Sequence, residues 1–138
     1  MRIYIGLTLA VAAAAQIRSP QIGLARLADG SVRSISGVSG SMRSSAPVME
    51  RVLRFASSGR LSIAKLPESV RVLGPAGDVL FESDAPSGPA AIGFSRDGLQ
   101  ALVYFSDGPS LARCSRLGCE MLDIAPPAAA IAVSLITR

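Results

Sequence analysis

Apolar positions fall in short bursts along this chain, and most bursts end at a turn-forming pair. Ala90 to Phe105, AAIGFSRDGLQALVYF, shows the pattern best. Ile92 and Phe94 alternate with small residues, the period-two pattern of a strand with one buried face. Ala101 to Phe105 is an almost unbroken apolar run, as expected of a strand buried on both faces. Asp97-Gly98 lies between the two runs. Asp-Gly in that setting predicts a hairpin, because Gly takes a positive φ without a Cβ clash and Asp tolerates it. A second Asp-Gly at Asp107-Gly108 predicts another turn, with a third strand from Ser110. Three strands joined by tight turns make a meander.

The same grammar runs through the rest of the chain. Gln21 to Leu27 reads as a strand, Ala28-Asp29-Gly30 as a turn and Ser31 to Ile35 as the returning strand. Gly37 to Pro47 is rich in Ser and Gly and reads as a flexible loop, either a plain connector or a binding loop. Val48 to Phe55 is expected as a strand, though its spacing also suits a short helix. Leu61 to Leu66, Val70 to Leu73 and Val79 to Glu82 read as three more strands. Pro67 ends the first of these, since proline cannot donate to a ladder. Pro75-Ala76-Gly77-Asp78 is a turn between the other two. Asp84 to Pro89 is a linker. Leu111 to Cys114 and Cys119 to Ile124 form a further hairpin, and Ala129 to Thr137 is a last apolar strand.

Pieces of this pattern recur. Phe55 and Phe94 are 39 residues apart, as are Gly59 and Gly98; Gly77 and Gly118 are 41 apart. A period near 40 with about four short strands per unit is the pattern of a propeller blade. At FSRDG and the following ALVYF the chain resembles bacterial secreted β-propeller proteins of the WD40-like or YVTN type, over roughly residues 20–138. It carries no Gly-His or Trp-Asp signature, having neither His nor Trp. The resemblance implies a radial sheet scaffold that binds partners or ligands on its faces and central channel, and that in some members carries an enzyme.

The expected fold class is therefore all-β: antiparallel, four-stranded, blade-like meanders forming a partial β-propeller. The units would be a half blade at about 21–36, blades at about 48–88 and 89–125, and the first strand of another at 129–138. Propellers close with about four blades or more. The chain would then be a piece of a longer frame, or close by assembling with its own copies. The alternative is a single antiparallel β-sandwich of about nine or ten strands.

Composition narrows the setting. The 138 residues suit one domain. Hydrophobic residues make up 49% and charged residues 17%, a balance that buries a core rather than leaving the chain disordered. The net charge of +4 comes almost wholly from arginine, Lys65 being the single lysine. The arginines are scattered among acids, so the charge reads as a solvated surface and not as a nucleic-acid footprint. Residues 1–15 have the form of a secretory signal: Arg2, a short apolar run from Ile3 to Val11, and alanines offering A-x-A cleavage sites. The run is well short of the ~20 residues of a spanning helix, and no Cys follows it for a lipid anchor. The rival is a buried N-terminal helix or strand. Residues 16–138 form the β-repeat domain, secreted or periplasmic. Cys114 and Cys119 are the only cysteines. Their CSRLGC spacing fits two strands of one hairpin, and export permits a disulfide, though two free thiols fit equally.

Chemistry is sparse. Without His there is no Ser-His or Cys-His nucleophile pair. Gly37-Val38-Ser39-Gly40 only approaches GxSxG, and Lys65, which reads as a solvated side chain on its strand rather than half of a Ser-Lys pair, follows Ala64 and not the Gly of a phosphate loop. Glu82 and Asp84 could form a carboxylate pair or a weak calcium site. Asp97 and Asp107 read as turn residues. Phe55, Phe81, Phe94, Tyr104 and Phe105 read as core. No catalytic, cofactor or metal residues are assigned. The expected function is a non-enzymatic exported scaffold for a protein or small ligand, with self-association plausible. It has no nucleic-acid partner and no stable membrane anchor. The alternative is a fragment or subunit of a propeller enzyme whose catalytic residues lie outside this chain.

Overall fold

Eleven β-strands and no helix make up the described part of the computed structural model, residues 20–107 and 110–123. They form three antiparallel meanders, each with its strands side by side in chain order. The first sheet is β1 (Gln21–Arg26), β2 (Val32–Val38) and β3 (Ser41–Met49). The second is β4 (Arg54–Ser57), β5 (Ser62–Lys65), β6 (Ser69–Leu73) and β7 (Val79–Asp84). The third is β8 (Ala90–Phe94), β9 (Ala101–Phe105), β10 (Ser110–Ser115) and β11 (Gly118–Leu122). The all-β expectation holds. The described strands do not divide into the two sheets of a sandwich, so that alternative falls. The segment expected as a signal at 1–15, Gly108, Ile124 and the strand expected at 129–137 lie outside the described residues.

The inner strands of the middle sheet, β5 and β6, are buried on both faces. Successive side chains of a strand point to opposite faces. Leu61, Ile63, Val70 and Val72 pack with Ala90, Ala101, Val103, Phe105, Ala112 and Cys114 of the third sheet. Ala64 and Leu73, from the other face, pack with Val32, Met49 and Val52 on the side of the first sheet. Each fully buried Val, Leu or Ile contributes roughly 1.5–3 kcal/mol relative to exposure.

The sheets also stack in one sense. Phe55 packs into the cluster that its sheet shares with the sheet before it. Phe94, its counterpart 39 residues on, does the same one sheet later. The front of one sheet thus meets the back of the next. First strands lie against first strands, β1 on β4 and β4 on β8, while β7 lies against β11. The corresponding turns touch as well: the Ser58 hydroxyl donates to the Gly98 carbonyl at 2.7 Å.

Two local expectations are corrected and a third is refined. The Ser/Gly stretch 37–47 is not a loop: Ser41–Met49 is a nine-residue strand paired with β2. It lies at a sheet edge with Ser41 to Val48 all exposed, so no burial forces alternation and the sequence carries no periodic signal. The strand or helix expected over Val48–Phe55 is broken. Val48 and Met49 end β3, Arg51 turns the chain with a φ of 59°, and β4 starts at Arg54. Val52 is buried between the sheets, its N–H on Gly30 O at 2.9 Å. The hairpin at Asp97-Gly98 is real, but its loop runs from Ser95 to Gln100. Gly98 alone takes the left-handed φ, 73°. Asp97 instead accepts from the Ser95 hydroxyl at 2.6 Å and the Leu99 N–H at 3.0 Å.

Candidate functional site

The richest grouping of charge lies where the β5–β6 turn meets the crossing between the first two sheets. The turn closes when the Leu66 N–H donates to Ser69 O at 2.8 Å. Opposite it, the positive φ of Arg51 brings Glu50 and Arg51 to the rim. Between them is a cleft of about 330 Å³ lined by Glu50, Arg51, Leu66, Pro67, Glu68, Ser69, Arg71 and Glu82.

Arg71 and Glu82 are direct cross-strand partners on β6 and β7, with Nε to Oε2 at 3.0 Å. The Arg71 guanidinium beside it is the main cause that holds the Glu82 carboxyl below its ordinary range, and Ser69 adds to it. Glu82 is therefore an ionised hydrogen-bond acceptor and not a proton donor at neutral pH. Asp84 shares its face of β7 but pairs with Ser69 in the ladder. No group of three metal-ligating side chains occurs among the described residues.

Lys65 forms the floor of the turn. It is fully buried, and its ammonium donates to the Leu66 and Pro67 carbonyls. Burial lowers its pKa, with Glu68 opposing. The lysine is enclosed behind the turn that it holds. Its geometry is that of a structural clasp, with the apolar stem in the core and the head on main-chain oxygens.

The two cysteines do form a disulfide, Cys114 to Cys119, between residues directly opposite on β10 and β11. Ser115 pairs with Gly118, leaving Arg116-Leu117 as a tight turn with Leu117 96% exposed. An Arg113–Glu120 ion pair lies on the opposite face of this hairpin. The bridge sits in the cluster between the second and third sheets, where Phe81 also packs.

The other sequence candidates resolve into structure. Gly37 to Gly40 spans the β2–β3 turn. Asp107 accepts from the Ser87 hydroxyl at 2.7 Å, tying two loops. Phe105 and Tyr104 are buried, and Phe55, Phe81 and Phe94 pack against the two core clusters. Sequence reasoning missed the Arg71–Glu82 pair, although a hairpin folded about the Pro75–Asp78 turn sets those two opposite-charge residues across from each other. It also placed the Lys65 head in solvent. Comparison with protein-family models and with curated proteins finds no match for this chain.

Proposed function

We propose that the chain is an exported, non-enzymatic β-repeat domain of partial-propeller type that binds a protein or small ligand through its turns. The stacking carries this reading: three meanders packed front to back, with the equivalent Phe55 and Phe94 both facing the preceding sheet. Such a stack gives a rigid core and leaves the connecting turns as adaptable surface. The charged cleft at Arg51, Glu68, Arg71 and Glu82 supplies polar recognition. The exposed Leu117 at the β10–β11 tip supplies an apolar contact. The Cys114–Cys119 bridge suits an oxidising compartment, in keeping with the signal-like residues 1–15.

The test is expression of the full chain in a bacterium, followed by mass spectrometry of the exported fraction. The reading expects removal of residues near 1–15 and a closed Cys114–Cys119 bridge. Immobilised chain is then used to capture proteins from that fraction. The capture is expected to weaken at least tenfold for Arg51→Ala/Glu68→Ala or for Leu117→Ser, with the thermal midpoint preserved. Cytosolic retention with two free thiols overturns export. Capture untouched by either variant overturns the assignment of these turns.

A further inference from the structure

Glycine aside, Arg51 is the one described residue with a left-handed backbone, at a φ of 59°. The conformation is imposed from both sides. Met49 and Val52 are buried in the cluster between the first two sheets, and the Val52 N–H donates to Gly30 O at 2.9 Å. The chain therefore reverses between them whatever residue stands at 51. Glycine takes such a φ freely, whereas an L-residue takes it at a cost in free energy. A long charged side chain is thus kept where glycine would be less strained, and strain of this kind collects at ligand sites. What arginine adds there is an exposed guanidinium on the rim of the cleft at the β5–β6 turn. Its side chain makes no hydrogen bond or ion pair with a described residue. The exposed Glu50 and Glu68 carboxylates on the same cleft are likewise without an ion pair among the described residues. Arg71 and Glu82 beside them are already paired with each other.

We propose that this cleft binds a small zwitterion, an amino acid or short peptide with free ends, its carboxylate on the Arg51 guanidinium and its ammonium on the Glu50 and Glu68 carboxylates. A simple anion would meet both carboxylates as well as the guanidinium, and a simple cation would meet the guanidinium. A ligand carrying both charges leaves none of these groups opposed. The planar fork of arginine takes a carboxylate through two parallel hydrogen bonds. The cleft, at about 330 Å³, is at the small end of ligand pockets. Leu66 and Pro67 on its wall offer apolar contact to a ligand side chain. This inference rests on the proposal that the turns of this scaffold bind a ligand, and deepens it by naming the ligand's chemical class.

Amide chemical-shift titration of the isotope-labelled full chain tests it, at low ionic strength so that exposed charges are not screened. The probe is alanyl-leucine with both ends free. Saturable shifts are expected at Glu50, Arg51, Glu68 and Ser69. The N-acetylated and C-amidated dipeptides, each lacking one charge, are expected to bind at least about tenfold more weakly. Free leucine separates the two sources: equal affinity points to an amino acid, weaker affinity to a peptide. Arg51→Gly is expected to lose at least about tenfold in affinity. Its thermal midpoint is expected at or above that of wild type, because glycine relieves the backbone. No saturable shift with either alanyl-leucine or leucine overturns the inference. So do blocked dipeptides that bind as well as the free one, or an Arg51→Gly variant with wild-type affinity. A lower midpoint for Arg51→Gly also overturns it, since the side chain would then serve the fold. Protein capture that still weakens in Arg51→Ala/Glu68→Ala would leave the proposed function standing in those cases. Capture untouched by that variant, with dipeptide binding intact, removes the proposed function and leaves the zwitterion site.

Discussion

Replacing Gly98 by alanine tests whether the second and third sheets pack as described. Gly98 has a φ of +73°, and a Cβ there would lie 3.0 Å from both Cβ and Oγ of Ser58. Gly59 is the matched control. Its φ is +87°, and nothing lies within 4 Å of its Cβ position. Both substitutions carry the same backbone cost, about 1–2 kcal/mol for a left-handed L-residue. Only Gly98→Ala also displaces the Ser58 hydroxyl from the Gly98 carbonyl, a hydrogen bond of 2.7 Å that contributes about 1 kcal/mol net. Gly59→Ala is therefore expected to cost about 1–2 kcal/mol and Gly98→Ala about 2–3 kcal/mol. At roughly 4 °C per kcal/mol for a chain of this size, the two midpoints should differ by about 4 °C. Ser58→Ala completes a double-mutant cycle. Its coupling to Gly98→Ala is expected near 1 kcal/mol, while Ser58→Ala with a substitution at a distant site should be additive within about 0.3–0.5 kcal/mol. Urea unfolding gives the free energies. Equal costs at Gly59 and Gly98, with no coupling to Ser58, would refute the turn-to-turn contact between the sheets.

Other expectations follow from charge and covalent structure. Asp29, Glu82 and Asp97 have lowered pKa values, chiefly through the Ser31 hydroxyl, the Arg71 guanidinium and the Ser95 hydroxyl respectively. Their contribution to stability is present above the ordinary carboxylate range and is lost as pH falls through the folded values. A midpoint-against-pH curve should therefore drop on the acid side, and less steeply for Asp97→Asn. Lys65 has the opposite sign. Its pKa is lowered by burial, so stability should rise as pH climbs through its folded value toward the unfolded one. Lys65→Met should flatten that alkaline rise and leave the neutral midpoint equal or higher, and a fall of several degrees would show the clasp to be net stabilising. The Cys114–Cys119 bridge spans a sequence separation of 5, so Cys114→Ala/Cys119→Ala should cost about 2 kcal/mol in urea unfolding by the loop-entropy relation.

Legibility followed burial. β9 announces itself because burial of its side chains on both faces leaves an unbroken apolar run, Ala101 to Phe105. The Gly98 turn was legible for a related reason, since only glycine takes that φ without strain. β3 was illegible because Ser41 to Val48 are exposed on both faces, and an edge strand held by backbone pairing alone needs no pattern. Val52 and Met49 misled in the opposite way. Their apolar spacing comes from filling the space between two sheets across a chain reversal at Arg51, and not from one strand. The disulfide was half legible: the spacing allowed it, and the β10–β11 register fixed it by setting Cys114 opposite Cys119. The cleft was hidden because Arg71 and Glu82 sit on two otherwise ordinary strands of one hairpin, and their meeting depends on its register.

The most direct test of the stacked architecture is amide hydrogen exchange resolved to single strands. A sheet enclosed by neighbours on both faces opens only with global unfolding, whereas an exposed edge opens locally. The account predicts that β5 and β6 exchange slowest of all strands, with β8 and β9 next, and that β3 exchanges fastest. Exchange in β5 and β6 as fast as in β3 would contradict a middle sheet packed between two others.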